Sequence, residues 1–440
     1  IHIVVIMKVK IGNSNGEMIF SFSTEEDDIL NPTPKFSFGK STVKVKLEGV
    51  DLEEIHPDLV ALSVILMCHP FVGKELHLPF GVSKEFKKTV AEVISRYQLI
   101  VDEEREVGAR KIKDNFRMGL AFSGGVDSTA ALAVMPKDSA PVFMLRPQTG
   151  KSLYNPDAAI TACNSLADIG YDARIVICDV EYLRDPVGFP TDLSHAIPAI
   201  LLADELMIDS ISFGTVLESA FGIGHEEFRD YGNGAHWRFY GSLFRSAGVE
   251  LSLPVSGVSE VGTALITERS HIGGFSQSCI RGNWGNPCKK CWKCFRKGLL
   301  NCALGNRTIE SGEMEDVIPS NEIRSKLGSI PISHENVLEY SLQRAKTGQN
   351  NLLSLVKNRV DRGSHLDFLE CWYSPSLEFV PKKYRREVRE NIFNYLNPMS
   401  EEDLLLVSDW SMKEFIDSKD VKDFSKELDI EILSIMGPEQ

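Results

Sequence analysis

Two clusters of side chains in this sequence have the types and spacing to do chemistry. The first is Ser123-Gly124-Gly125-Val126-Asp127-Ser128, with two hydroxyls, two glycines and a carboxylate in six residues. Glycines let a backbone turn sharply and come close to a ligand. A helix that follows such a turn directs free N–H groups and its positive dipole end at it, which makes an anion site. Ser123 and Ser128 add hydroxyl donors, and Asp127 can hold a magnesium ion through oxygen. Such a set suits a phosphate chain. The second cluster is Cys279-x8-Cys288-x2-Cys291-x2-Cys294, four thiols within sixteen residues. Four thiols at this spacing can converge on one zinc ion, a closed structural site with no open position for catalysis. Metal binding would release the thiol protons and make local folding metal-dependent. An iron–sulfur cluster is the competing metal reading.

Both clusters need elements to hold them. Residues 117–122 (Arg-Met-Gly-Leu-Ala-Phe) predict a buried strand and Thr129 to Val134 the first turns of a helix, so the hexapeptide becomes a strand-to-helix turn. Further strands are expected at Val142–Leu145, Arg174–Cys178 and Ser210–Phe213, and helices at Pro156–Ile169, Leu193–Met207 and Ala235–Ala247. This alternation predicts an α/β fold with a doubly wound parallel sheet. Ligands of such sheets lie at the carboxyl ends of the strands, which places Arg146, Gly214 and Thr215 near nucleotide or substrate. The loop Glu218–Gly234 gathers His225, Glu226, Glu227, Arg229 and Asp230, and reads either as a pocket wall or as a solvated charged lid.

The flanks carry no motif. Residues 1–116 predict an N-terminal α+β extension, with strands at Met18–Phe22 and Ser41–Leu47 and helices at Asp58–Phe71 and Lys84–Tyr97. Residues 117–278 form the expected nucleotide-binding domain, 279–305 a zinc module and 306–440 a helical C-terminal domain, with helices at Lys382–Tyr395 and Glu401–Asp417. The 440 residues carry a formal charge of −14, which argues against a general polyanion-binding surface. Lys289, Lys290, Lys293, Arg296 and Lys297 nevertheless make a local basic patch around the cysteines. No stretch is apolar enough to span a membrane, and the apolar start Ile1–Met7 lacks a basic leader and a cleavage site; Met7 reads as a natural start. Nine cysteines without a secretory signal point to the cytoplasm, with Cys68, Cys163, Cys178, Cys302 and Cys371 as buried apolar residues.

Ser-Gly-Gly-Val-Asp-Ser resembles the PP-loop of the ATP pyrophosphatases, whose fold is adenine nucleotide alpha-hydrolase-like. It is neither a Walker loop, since no Gly-Lys-Ser/Thr follows, nor a dinucleotide fingerprint, since the third glycine is missing. With the four cysteines followed by Arg296, residues 117–305 resemble the 7-cyano-7-deazaguanine synthase (QueC) family of queuosine biosynthesis. The resemblance implies ATP and Mg2+ at Ser123, Gly124, Gly125, Val126, Asp127 and Ser128, with Ser123, Asp127 and Ser128 catalytic, and Zn2+ on the cysteines. It implies an ATP-dependent carbon–nitrogen ligase. A deazaguanine carboxylate is adenylated with loss of pyrophosphate, and ammonia or an amine displaces AMP to give an amide or nitrile. Two elements depart from the family. Leu145-Arg-Pro-Gln-Thr-Gly150 replaces its Tyr-Gly-Gln-x-His, and Val258-Ser259-Glu260 replaces its Thr-Lys pair. The long flanks are closer to the enlarged QueC-like proteins of anti-phage systems (Qat and type IV CBASS), which implies a protein partner from the same operon. A tRNA-modifying PP-loop enzyme and a non-catalytic nucleotide-sensing scaffold are the alternatives. Nucleic acid is not the expected partner, and a homodimer stays open.

Overall fold

A computed structural model describes residues 7–26, 28–102, 107–149, 152–305, 307–309, 318, 320–346 and 351–436; the apolar start at 1–6 and Gly150 lie outside them. The strands are β1 (Met7–Ser14), β2 (Glu17–Ser23), β3 (Ser37–Phe38), β4 (Thr42–Lys46), β5 (Glu75–His77), β6 (Gln98–Ile100), β7 (Arg117–Phe122), β8 (Ala140–Leu145), β9 (Arg174–Ile177), β10 (Arg184–Asp185), β11 (Ile208–Ser212) and β12 (Glu250–Ser252). They form two five-stranded sheets and a small β3–β10 pair. The first sheet, in the order β4-β2-β1-β5-β6, begins as a hairpin closed by Asn15-Gly16, both at positive φ as a tight primed turn requires. Alternation in β2 buries Met18, Phe20 and Phe22 on one face. Helix α1 (Pro57–Cys68) is apolar all round and buried along its length, and α2 (Lys84–Val93) is amphipathic.

The second sheet, in the order β12-β11-β7-β8-β9, is parallel throughout. β7 lies at its centre, and five of its six residues are buried, as a strand covered on both faces must be. Helix α3 (Val126–Val134) leads from β7 to β8, and α4 (Asp157–Asp168) from β8 to β9. The chain then returns past β7 to β11, through α5 (Ile197–Leu201), and reaches β12 through α6 (Leu217–Phe221) and α7 (Ala235–Ser246). The reversal makes the carboxyl ends of β7 and β11 a topological switch point, where a crevice opens.

The α/β expectation with parallel strands holds, and several elements differ in detail. The helix expected over Leu193–Met207 is a 3-10 turn at Ser194–Ala196 and one short helix, α5. Pro198 fits only a first helical turn, and Met207 at φ 52° ends the segment. Strands β1, β3, β5, β6, β10 and β12 stand outside the expected set: the last five are only two or three residues long, and β1, eight residues long, alternates only over Met7, Val9 and Ile11. The two sheets are stitched together: Val45 bridges to Cys178, Asp179 Oδ1 accepts the Lys44 N–H at 2.6 Å, and α1 packs on α5.

The remaining helices are α8 (Glu260–Arg269), α9 (Trp292–Leu304), α10 (Asn321–Leu327), α11 (Glu335–Arg344), α12 (Asn351–Val360), α13 (Arg385–Phe393), α14 (Glu401–Ser408), α15 (Lys413–Asp417) and α16 (Lys419–Met436). The helix expected over Glu401–Asp417 is thus two, parted where Trp410 turns inward and donates its indole N–H to the His225 carbonyl at 3.0 Å. One apolar core includes residues from Met7 to Met412, and a second gathers side chains of α9, α10, α11, α12 and α16. Inside the second, Arg359 Nη1 and Glu335 Oε1 pair at 3.0 Å, both side chains fully buried.

Candidate functional site

The Ser123–Ser128 turn lies at the carboxyl end of β7 and runs into α3, whose first residue is Val126. Gly124 sits at φ +72°, and a Cβ there would stand 2.8 Å from the Ala159 Cα, so the turn admits no larger residue without displacement. Ser128 Oγ accepts the Ser123 N–H at 3.3 Å and donates to the Gly125 carbonyl at 3.1 Å, while the two serine hydroxyls are 3.0 Å apart. From β11, Gly214 presses onto the turn: a Cβ would lie 2.8 Å from the Ser128 nitrogen. The structure thus brings together Ser123, Gly124, Gly125, Val126, Asp127, Ser128, Gly214 and Thr215. Ser278, which the sequence did not single out, joins them by accepting the Val126 N–H at 3.3 Å.

Arg146 is placed elsewhere. Its guanidinium pairs with Glu181 Oε1 at 3.1 Å and lies over the Tyr154 ring at 4.2 Å, and it does not line the cavity at the turn. Of the Glu218–Gly234 loop, Arg229 and Asp230 line that cavity, Glu227 pairs outward with Lys413, and Glu218 is fully buried. The loop is therefore part wall and part foundation. Burial, with help from His334 and Arg229, holds the His225 imidazole down to about 4.

Behind the turn lies a buried ionic network. Asp127 Oδ1 accepts from Thr263 Oγ1 at 2.8 Å and from Lys297 Nζ at 3.2 Å, and Lys297 is also 3.3 Å from Glu260 Oε2. Glu260 Oε1 meets Arg296 Nη1 at 2.9 Å and His334 Nδ1 at 2.6 Å. Burial alone would raise the Glu260 pKa, but Lys297, His334 and Arg296 outweigh it and hold the carboxyl well below the usual range. The Glu260 N–H in turn points at both oxygens of Glu218, at 3.3 and 3.1 Å. Burial pushes the Glu218 carboxyl up to about 7; His334 opposes the rise and the Glu260 charge adds to it. Lys297 keeps its proton, because Asp127 and Glu260 overcome the cost of its burial and raise its pKa. None of these contacts follows from spacing: Lys297 and Asp127 are 170 residues apart.

The four cysteine sulfurs lie within 4.8 Å of one another, Cys288 and Cys294 at 3.8 Å. A tetrahedron with Zn–S bonds of about 2.3 Å has edges of about 3.8 Å, so the cluster fits one ion such as zinc. A two- or four-iron cluster would divide the thiolates among its irons and spread the sulfurs wider. Cys291 caps α9 and Cys294 lies in its first turn, where the helix dipole favours thiolates. The hydrogen bond from Cys294 draws the Cys291 thiol down to about 5 and pushes its own up. Arg296 and Lys297 follow Cys294 on the same helix, so α9 joins one thiol of the cluster, with Cys291 at its N-terminus, to the network that reaches Asp127.

The turn separates two cavities. The first, of about 680 Å³, has Ser123, Gly125, Asp127 and Ser128 on one wall and Phe213, Leu251 and Leu253 on another. The second, of about 850 Å³, adjoins Val126 and the cysteines and is lined by Lys289, Lys290, Lys293 and Lys297. Ser278 and Lys293 border both. Both volumes are in the range of small-molecule sites.

Residues 239–411 match the model of a family of unknown function (DUF6395), a span holding the cysteines, Glu260, Lys297 and His334 but not the turn. No curated protein and no solved structure matches the chain. No helix among the described residues is long and apolar enough to cross a membrane.

Proposed function

We propose that the chain is an ATP-dependent carbon–nitrogen ligase with an adenine nucleotide alpha-hydrolase-like core. In this reading it adenylates the carboxylate of 7-carboxy-7-deazaguanine or a close analogue. The observation that carries the reading is the Ser123–Ser128 turn: a glycine-bent anion cradle at a helix N-terminus, at the switch point of a parallel sheet, opening on a cavity of nucleotide size.

The β- and γ-phosphates would rest on the N–H groups at the start of α3 and on the hydroxyls of Ser123 and Ser128. A substrate carboxylate oxygen attacks the α-phosphorus, the bond to the bridging oxygen breaks, and pyrophosphate leaves. Preorganised donors act on the charge that develops, so positioning and electrostatics supply most of the rate. Asp127 has Oδ2 to offer a magnesium ion, since Oδ1 is engaged by Thr263 and Lys297, with the rest of the shell from phosphate and water. Magnesium, when bound, supplies charge neutralisation at the leaving phosphates. An amine then attacks the acyl carbon, a C–N bond forms, and AMP departs. Zinc on the four cysteines would have a structural role, fixing the start of α9 and with it Lys297.

The test is mass spectrometry of a reaction containing the protein, ATP, magnesium, ammonium and 7-carboxy-7-deazaguanine. AMP together with an amide or nitrile product supports the reading. Asp127→Ala should abolish pyrophosphate release and leave the zinc content unchanged, and retained turnover in that variant would sink the assignment. The lysine-lined cavity favours a second reading, a tRNA-modifying PP-loop enzyme, against the overall charge of −14. Tight, salt-sensitive binding of tRNA would reverse the ranking.

A further inference from the structure

The cavity at the Ser123–Ser128 turn is also lined by a series of polar contacts that the adenylation step above does not use. The Tyr231 hydroxyl is 2.9 Å from His236 Nδ1, and His236 Nε2 is 3.5 Å from Asp192 Oδ2. All three residues line the same cavity as Ser123, Asp127 and Ser128. With both ring nitrogens engaged, the imidazole has none free for a substrate, and the group that faces a reactant is the tyrosine hydroxyl. The order carboxylate, imidazole, hydroxyl is that of a relay whose outer member exchanges a proton while the imidazole carries the charge.

The surroundings fix this geometry. Tyr231 precedes the start of α7 and His236 lies in its first turn, so one helix terminus sets both. The Tyr231 ring packs edge-on against Phe379 at 5.3 Å, and the His236 ring lies 4.6 Å from that of Tyr240. Asp192 is 78% exposed and His236 36%, so the far end of the series opens to water. Besides these and Asp127, the charged and titratable groups lining this cavity are His195, Arg229, Asp230 and Lys293. Burial keeps Tyr231 protonated as a hydrogen-bond donor, and the contact of Asp192 with His236 holds the Asp192 carboxyl below its usual range.

We propose that Tyr231 is a catalytic residue for the amine-transfer half of the reaction, with His236 and Asp192 as its positioning residues. The inference rests on the adenylating reading above. As the amine nitrogen bonds to the acyl carbon, one N–H proton passes to the Tyr231 oxygen and the tyrosine's own proton passes to His236 Nδ1. The imidazolium is stabilised by Asp192 and later releases its proton to solvent. The C–O bond to AMP breaks, and no oxidant or reductant is needed. Adenylation itself moves no proton and does not use the relay.

The two half-reactions can be measured apart. Carboxylate-dependent exchange of labelled pyrophosphate into ATP, with 7-carboxy-7-deazaguanine as the acid, reports adenylation; amide formation on adding ammonium reports transfer. Tyr231→Phe should keep exchange within about twofold of the parent and lower amide formation by about 100-fold, the size of a general acid–base contribution. Asp192→Ala should lower transfer in the same selective way, and Asp192→Glu should restore it. Amide formation undiminished in Tyr231→Phe, or exchange and amide formation falling together, overturns the proposal and leaves adenylation standing. Absence of exchange in the unaltered protein overturns the adenylating reading, and the relay's role with it.

Discussion

On one side of the Ser123–Ser128 turn the wall combines Phe213, Leu251 and Leu253 with Asp192, Tyr231 and His236. On the other side Lys289, Lys290, Lys293, Lys297 and Arg307 face a single carboxylate, Glu268. The two cavities differ little in size and share the same backbone turn, yet their chemistry is unlike. Apolar walls suit a ring and strengthen any hydrogen bond made beside it. Lysines in a chain of net charge −14 concentrate positive potential at one place, which suits an anion. Asp127 on the first cavity's wall pairs with Lys297 on the second's, backed by Glu260.

Four experiments break or sharpen this contrast. The largest effect is expected from the metal. Cys291→Ser, or a strong chelator, should take the metal content from about one ion per chain to none, with a destabilisation of several kcal/mol. Elemental analysis and thermal melting measure it. Because α9 carries Lys297, pyrophosphate release should fall as well, and unchanged release would uncouple the cysteines from the turn. Next is Glu260→Ala, which leaves Arg296, Lys297 and His334 without their shared counter-ion. Removal of one partner from a buried pair costs about 3–5 kcal/mol, read from denaturant midpoints.

Glu218 gives a pH signature. Its carboxyl titrates at about 7 in the fold, against an ordinary 4.5, so the unfolded chain ionises first as pH rises. The stability it contributes is full below about pH 4.5 and is lost towards pH 7, by about 3 kcal/mol. Glu218→Gln should remove that slope from the variant's stability curve, so that the difference between parent and variant carries it, and a parallel pair of curves would refute the raised pKa. The smallest effect is expected at Gly124→Ala, which forces a Cβ into the left-handed region and against Ala159, at about 1–3 kcal/mol. Nucleotide-induced stabilisation should weaken with it, and an unchanged thermal shift with ATP would show that the turn tolerates the distortion.

The sequence made the turn and the cysteines legible because each is local. Glycines, hydroxyls and thiols at short spacing declare their geometry wherever they occur. The parallel sheet was legible from apolar runs such as Val142–Leu145, since strands buried on both faces need them. Leu193–Met207 misled because its apolar residues are set by burial against α1 rather than by helical period. Arg146 misled because its position at a strand end says nothing of its partner, and Glu181 claims it. Lys297 and Glu260 stood out only as part of a basic patch and of a departure from the family pattern, and Tyr231, His236 and Asp192 not at all, for the opposite reason. Their meaning comes from side chains brought together over long separations, as when His334 reaches Glu260 across 74 residues.

The seam between the two sheets has a consequence for shortening the chain. Asp179 is held by Lys40 and by the Lys44 backbone, Thr191 Oγ1 donates to the Leu66 carbonyl at 2.9 Å, and α1 covers α5. A truncation starting at Arg117 would lay bare Ile197 and Ile200 and strand the polar groups along that seam. The expected product is an insoluble fragment rather than a smaller folded protein. A shortened chain that begins at the Ser123–Ser128 turn has to cover the same wall with another surface.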